Sequence, residues 1–123
     1  MELQGIGQIH ITVTDLDRSI EFYRDVLEAD FLFRVPEQPM AFFDCNGVRL
    51  YLGEAESPEF RSNPLIYYRV PAIEAAHQEL TERGVTFSDE PHVVHRTEDM
   101  ELWMAFLRDP DGNYLALMEE RNL

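Results

Sequence analysis

Two polar side chains in the first strand-like stretch of the chain could do chemistry. Polar and apolar side chains alternate in residues 8–13, so Gln8 and His10 share one face of a predicted strand, while Ile9 and Ile11 share the other. A histidine can exchange a proton near neutral pH or bind a metal ion. His10 is therefore the first candidate for an acid-base residue or a metal ligand. The alternative is a polar residue that contacts a ligand without metal.

A second group of candidates lies in a long predicted hairpin. His92 and His95 are three residues apart, and on a regular strand this spacing places them on opposite faces, so we do not expect them to bind one ion together. Either one could face a ligand and, with Glu101 and Trp103 on the returning strand, supply a recognition or acid-base group. The alternative is an exposed hairpin without such a role.

Aromatic and basic side chains on other predicted strands form a third group. Tyrosine and tryptophan rings can stack on planar or cationic ligands. In this chain they alternate with apolar side chains that are expected to face a helix. The ligand-binding candidates of this group are Arg49, Tyr51, Tyr67, Arg69 and Tyr114.

The elements that position these residues occur twice in the chain. Residues 8–27 combine an alternating strand with a helix, whose N-cap is Thr14 or Asp15 and whose apolar stripe is Leu16, Ile20, Tyr23 and Leu27. Residues 65–85 repeat the pattern at a constant offset. Val13, Leu16 and Tyr23 correspond to Val70, Ile73 and Leu80.

The later strands repeat as well. MAFF at residues 40–43 corresponds to MAFL at 104–107, and Asn46-Gly47 between two apolar runs predicts a tight hairpin. Two strand-helix-three-strand units predict an α+β fold, a curved eight-stranded mixed sheet with both helices on its convex face and a concave cup opposite. We expect one domain over residues 1–123, with unit 1 at about 4–53, a linker at 54–63 and unit 2 at about 64–120.

Composition excludes several partners. The net charge of −14 would repel nucleic acids and anionic membranes. The chain has no apolar run of the ~20 residues that a membrane span needs, and the N-terminus lacks the pattern of a signal peptide. We therefore expect a cytoplasmic protein. Cys45 is the only cysteine, so an intramolecular disulfide is excluded.

Nearly the whole chain resembles the vicinal oxygen chelate superfamily, which includes glyoxalase I, bleomycin-resistance proteins and extradiol dioxygenases. The resemblance lies in IHITVTDLDRSIEFYRDVLEADF at residues 9–31, in its second copy, and in FLRDPDGNYLALMEE at residues 106–120. These segments belong to the scaffold and do not choose among the chemistries of the superfamily.

The resemblance also implies four positions at which metal-dependent members carry His, Gln or Glu ligands. In this chain they are Gln8, Tyr51, Leu65 and Ala116. Only Gln8 could coordinate readily, Tyr51 is a doubtful ligand, and the other two lack donor atoms. A divalent ion needs at least three oxygen or imidazole donors. We therefore expect no cofactor at these positions, and a relocated metal site that includes His10 is the alternative.

Two functions follow from these expectations. The first is a metal-free protein, similar to the bleomycin-resistance proteins, that holds a small molecule in the cup. The second is an enzyme, a metal-dependent lyase, isomerase or dioxygenase, with a relocated site around His10. Members of the superfamily usually build their cups in pairs at a dimer, and an open sheet leaves edges to cover, so we expect a homodimer.

Overall fold

The computed structural model of the protein describes residues 1–123, and the chain divides into two units, Met1–Pro64 and Leu65–Leu123. The first unit contains strand β1 (Gln8–Thr12), helix α1 (Leu16–Glu21) and strands β2 (Asp30–Arg34), β3 (Met40–Cys45) and β4 (Val48–Gly53). The second unit contains β5 (Ile66–Arg69), α2 (Ile73–Glu82), β6 (His92–Arg96), β7 (Met100–Arg108) and β8 (Tyr114–Asn122).

Each unit forms one four-stranded mixed sheet, and the two sheets have the same topology. The strand orders are β1-β4-β3-β2 and β5-β8-β7-β6. The first and last strands of each unit pair in parallel, and all other pairs are antiparallel. A parallel pair needs a crossover connection, to which the helix of each unit contributes. The predicted α+β fold of two βαβββ units is confirmed.

One face of each sheet is apolar and carries the helix. In the first unit α1 packs on β3 and β4, where Phe43, Leu50 and Leu52 are fully buried. In the second unit α2 packs on β7 and β8, where Leu107 and Leu115 are buried. We call the opposite side of each sheet its helix-free face, and strand alternation directs the polar and aromatic candidates toward it.

The two helices are capped by different means. Asp15 caps α1, because its side chain accepts a hydrogen bond from the backbone N–H of Arg18 at 3.1 Å. A π-helical turn, Phe22–Val26, continues α1. The N-cap residue of α2 is Ala72, which has no capping group, and the carboxylate of Glu119 accepts a hydrogen bond from the N–H of Ile73 at 2.8 Å instead. Neither helix is long and apolar enough to cross a membrane.

Candidate functional site

Four aromatic side chains form a continuous row across the helix-free face of the first sheet. The ring centroids of His10 and Tyr51 are 4.6 Å apart, those of Tyr51 and Phe42 4.8 Å, and those of Phe42 and Phe33 4.9 Å. The row runs through β1, β4, β3 and β2, so it spans all four strands of the sheet. We call these four residues the aromatic ladder.

The register of three strand pairs builds the ladder. Asn46 and Gly47 have the positive φ values that a tight hairpin needs, 50° and 96°. The turn pairs Cys45 with Val48 and thereby sets Phe42 opposite Tyr51. The parallel pairing of β1 with β4 sets His10 opposite the same tyrosine. Counting residues back from the turn would have identified Phe42 from the sequence.

Phe33 joins the ladder because strand β2 is irregular. Phe31 pairs with Phe43 on the helix-bearing face, whereas Phe33 pairs with Phe42 on the helix-free face, and the register shifts between them. Residues two apart on a regular strand share a face, so the bulge at Leu32 reverses the alternation. The sequence holds no comparable signal for this residue.

Three polar groups beside or within the ladder form no hydrogen bond or ion pair in the protein. They are the imidazole of His10, the hydroxyl of Tyr51 and the guanidinium of Arg49, which lies 5.7 Å from the centroid of the Phe42 ring. Burial raises the pKa of Tyr51, and the negative charge of Glu56 adds to the effect. These groups are free to bind a ligand.

Gln8 and Thr12 also lie on this face, and they differ in whether their polar groups are exposed. Gln8 is exposed and pairs with Arg49 in the parallel register, next to the ladder. Thr12 is buried, and its hydroxyl accepts a hydrogen bond from the N–H of Ser62 at 2.8 Å. The Thr12 hydroxyl is therefore hydrogen-bonded to the segment that follows β4. Gln8 is the polar side chain of β1 beside the ladder that remains exposed.

The helix-free face of the second sheet carries a smaller aromatic pair. Tyr67 and Phe106 both pair with Ala116, and their rings meet over this small residue with centroids 5.9 Å apart. Arg108 donates a hydrogen bond to the hydroxyl of Tyr114 at 2.6 Å and also lies over its ring. Hydrogen bonds from Arg108 and Ser88 lower the pKa of Tyr114.

Two more candidates of the second unit differ in their partners. Arg69 lies 3.4 Å from the carboxylate of Glu120, in an exposed pair. Tyr67 is exposed and forms no hydrogen bond through its hydroxyl. Of these two side chains, only Tyr67 has its polar group without a protein partner.

His92 and His95 lie on the same face, which differs from the expectation for a regular strand. His92 pairs with Met104 and His95 with Leu102, and the register shifts between Val93 and His95. Met104 and Leu102 are two apart on β7, so their partners share the helix-free face. The reason is a bulge at Val94, which adds one residue to β6.

Trp103 and Glu101 lie on the helix-bearing face, which differs from the expectation that Trp103 lines a site with the tyrosines. Trp103 is adjacent to Met104 on β7, so the two side chains point to opposite faces. Trp103 pairs with Glu119, which contacts the start of α2. The guanidinium of Arg121 lies 4.3 Å from the centroid of the Trp103 ring, and the indole N–H donates to Glu101 at 3.2 Å. This tryptophan is engaged within the second unit, and ligand binding by it stays a prediction.

The four positions at which we expect the family's metal ligands carry few donor atoms. Gln8 and Tyr51 offer one amide oxygen and one phenol, whereas Leu65 and Ala116 offer no donor atom. No group of three or more His, Cys, Asp or Glu side chains in the chain is arranged to hold a metal ion.

An open cavity in the first unit lies away from the ladder. It has a volume of about 460 Å³ beside the start of α1 and contains the ion pair between Arg34 and Asp17. Its other lining residues are Thr14, Asp15, Leu16, Glu37, Gln38, Pro39 and Glu54. None of the predicted site residues lines it.

Comparison with known proteins gives the same family along almost the whole chain. Residues 5–117 match the model of the Glyoxalase/Bleomycin resistance protein/Dioxygenase superfamily. The chain is 28% identical to the uncharacterized protein YraH of Bacillus subtilis, over 89% of this chain and 94% of YraH. It is 30% identical to the metallothiol transferase FosB of Staphylococcus haemolyticus, over 92% of this chain but only 65% of FosB.

Solved structures share the fold. TnmS3, an antibiotic binding protein from Streptomyces sp. CB03234, superposes with a TM-score of 0.77 at 21% identity, over 98% of this chain and 99% of that one. A member of the same superfamily from Sphaerobacter thermophilus gives a TM-score of 0.75 at 25% identity, over 95% and 98% of the two chains.

Proposed function

We propose that the protein binds a small molecule. It belongs to the Glyoxalase/Bleomycin resistance protein/Dioxygenase superfamily, and we propose that it is a small-molecule-binding member. Its ligand lies against the aromatic ladder, and the usual metal site is degenerate. The name of the relative TnmS3, an antibiotic binding protein, agrees with such a role.

The observation that carries this proposal is the ladder itself. Phe33 is 47% exposed, Tyr51 and His10 are partly exposed, and these rings adjoin unpartnered polar groups. Apolar surface beside a few polar groups is the usual lining of a small-molecule site. The hydroxyl of Tyr51 and the guanidinium of Arg49 lie beside these rings and form no hydrogen bond within the protein, so both can bind polar groups of a ligand.

The metal-free part of the proposal follows from the donor set. Leu65 and Ala116 supply no ligand atom at two of the four family positions. An ion bound there would keep at most two protein donors, which is too few for a stable site. We therefore expect that these positions do not bind the metal ion on which other members of the superfamily depend.

A neutral planar probe, 2-naphthalenemethanol, tests the binding surface. We expect it to shift the NMR signals of the Tyr51 and Phe42 rings. Tyr51→Leu should weaken binding about three- to tenfold, which is the range expected for loss of one aromatic contact. Phe60→Leu is the matched control, because Phe60 is an exposed aromatic residue of the same unit outside the ladder. Equal weakening by both variants would count against a site at the ladder.

An enzyme remains the second candidate function, as a metal-dependent lyase, isomerase or dioxygenase with a site around His10. Its support is the resemblance to FosB, which is named a metallothiol transferase, together with the unpartnered imidazole of His10. Metal analysis of protein purified without chelator separates the two candidates. Near-stoichiometric Fe, Mn, Ni, Co or Zn that is lost in His10→Ala would overturn the metal-free proposal. Protein without bound metal would lack the Lewis acid that the enzyme candidate needs.

We further propose that the protein is a cytoplasmic homodimer. Its edge strand β2 exposes Phe31 and Leu32, and unpaired apolar edges tend to be covered. A single free thiol, Cys45, agrees with a reducing compartment. Light scattering after size-exclusion chromatography should give twice the mass of one chain, and Leu32→Glu should shift the protein toward the monomer if β2 forms the interface.

A further inference from the structure

We infer that the ligand of the aromatic ladder is a planar aromatic molecule that carries an anionic group, and that Arg49 binds this group. The inference rests on the proposed function and adds the chemical class of the ligand. Two independent features of the first unit support it: the direction in which the ladder rings present their edges, and the unpaired charge of Arg49.

Three rings of the ladder are stacked with their faces turned toward each other. Tyr51 and Phe42 are inclined by 28° with centroids 4.8 Å apart, and Phe42 and Phe33 are inclined by 32° at 4.9 Å. Rings so close and so nearly parallel cannot lie side by side in one plane, so their faces are turned toward each other. Aromatic edges carry partial positive charge and faces partial negative charge. The Phe42 ring in the middle of the stack is buried, whereas Tyr51 is partly exposed. A ligand that approaches the Tyr51 edge therefore meets partial positive charge, which attracts the electron-rich face of another aromatic system.

Arg49 adds a full positive charge next to these edges. It lies two residues before Tyr51 on β4, which is roughly 7 Å along the strand, and on the same helix-free face. Six other arginines form ion pairs with carboxylates. The guanidinium of Arg49 forms none, although the chain carries 24 acidic residues.

The acidic residue nearest in register is otherwise engaged. Asp44 pairs with Arg49 across β3 and β4, but its carboxylate accepts a hydrogen bond from the N–H of Gly47 at 3.2 Å and forms no ion pair with Arg49. The net charge of −14 acts mainly at longer range, where salt screens it with a Debye length of about 8 Å at physiological ionic strength. A ligand carboxylate within hydrogen-bonding distance of Arg49 would accept a charge-assisted hydrogen bond from its guanidinium.

Three naphthalene probes of the same shape test the inference. They are 2-naphthoate, the neutral 2-naphthalenemethanol and the cationic 2-naphthylmethylammonium, titrated at pH 7 and followed by NMR. We expect 2-naphthoate to bind about tenfold more tightly than the neutral probe, as one charge-assisted hydrogen bond would provide. Arg49→Gln should remove this preference, so that 2-naphthoate and the neutral probe bind the variant with similar affinities.

Arg61→Gln is the matched control, because it makes the same change in net charge within the same unit and Arg61 forms no ion pair. An equal loss of preference in Arg61→Gln would assign the effect to overall charge and overturn the role of Arg49. Neutral or cationic probes that bind as tightly as 2-naphthoate would overturn the inference while the proposed function stands. If none of the probes shifts the Tyr51 and Phe42 signals, the proposed function fails as well.

Discussion

The ring of Tyr51 lies so close to the backbone of Gly53 that a methyl group on Gly53 would stand 2.6 Å from Cε1 of the tyrosine. The same methyl group would stand 2.8 Å from the carbonyl oxygen of Pro39. Both distances are well below van der Waals contact. The absence of a side chain at Gly53 therefore gives the Tyr51 ring its place in the ladder.

Gly53→Ala should lower the free energy of unfolding by about 1–3 kcal/mol, the usual cost of an overpacked site. Chemical denaturation measures this change, and the NMR signals of the Tyr51 ring should move. Gly7→Ala is the control, since no atom lies within 4 Å of a methyl group there. An equal change in stability for both variants would contradict the role of the Tyr51 contact.

Tyr51 and Tyr114 should titrate in a fixed order at alkaline pH. Burial raises the pKa of Tyr51, whereas the hydrogen bonds from Arg108 and Ser88 lower the pKa of Tyr114. Phenolate absorbance measured during an alkaline titration should lose an early component in Tyr114→Phe and a late component in Tyr51→Phe. The reverse assignment of the two components would show that one of these environments is described incorrectly.

Glu119→Gln should destabilise the second unit and reduce its sensitivity to acid. The Glu119 carboxylate binds Arg121 and the N–H of Ile73, and the bond to Arg121 is the main cause of its lowered pKa. A lowered folded-state pKa adds stability that is present above the unfolded value, near 4.5, and is lost as pH falls through the folded value.

At neutral pH we expect Glu119→Gln to cost about 1–3 kcal/mol, as for a buried hydrogen-bonded group that loses its charge. Denaturation curves over a series of pH values should show a smaller loss of stability in acid for this variant than for the unmodified protein. Glu120→Gln is the control. Its exposed pair with Arg69 should be worth less than about 1 kcal/mol, so an equal effect of the two variants would refute the capping role.

Cys45 should react slowly with thiol reagents, because burial is the main cause of its raised pKa, and the charges of Asp44 and Asp30 add to it. Only the thiolate is reactive. Asp44→Asn should therefore speed the reaction at a fixed mildly alkaline pH, and its amide oxygen can still accept the hydrogen bond from Gly47. Asp30→Asn should have a smaller effect. A rate that is unchanged in Asp44→Asn would exclude the proposed electrostatic cause.

Much of the fold could be predicted because it depends on local patterns. Asn46-Gly47 indicates a hairpin through its backbone preference alone, and the structure has the positive φ values that this preference implies. The alternation of Ile11 with His10 likewise predicts the helix-bearing and helix-free faces of β1. Such signals depend on residues that are adjacent in the chain, so no tertiary contact is needed to read them.

The candidate site could be predicted only in part. His10, Tyr51 and Arg49 were expected to share a face, and they do. Phe42 could have been found by counting from the hairpin turn. Phe33, His92 and His95 could not, because the bulges at Leu32 and Val94 shift the register of β2 and β6 without a glycine or proline to mark them.

The sequence by itself determined the two repeated units and the alternation of most strands, because periodicity and turn preferences are local properties of the chain. Only the tertiary structure decided which rings meet in the ladder, and that Glu119 caps a helix 46 residues away in the chain. The physical reason is that cross-strand register and bulges depend on pairing between distant segments. A shift of one residue in that pairing moves a side chain to the opposite face of the sheet.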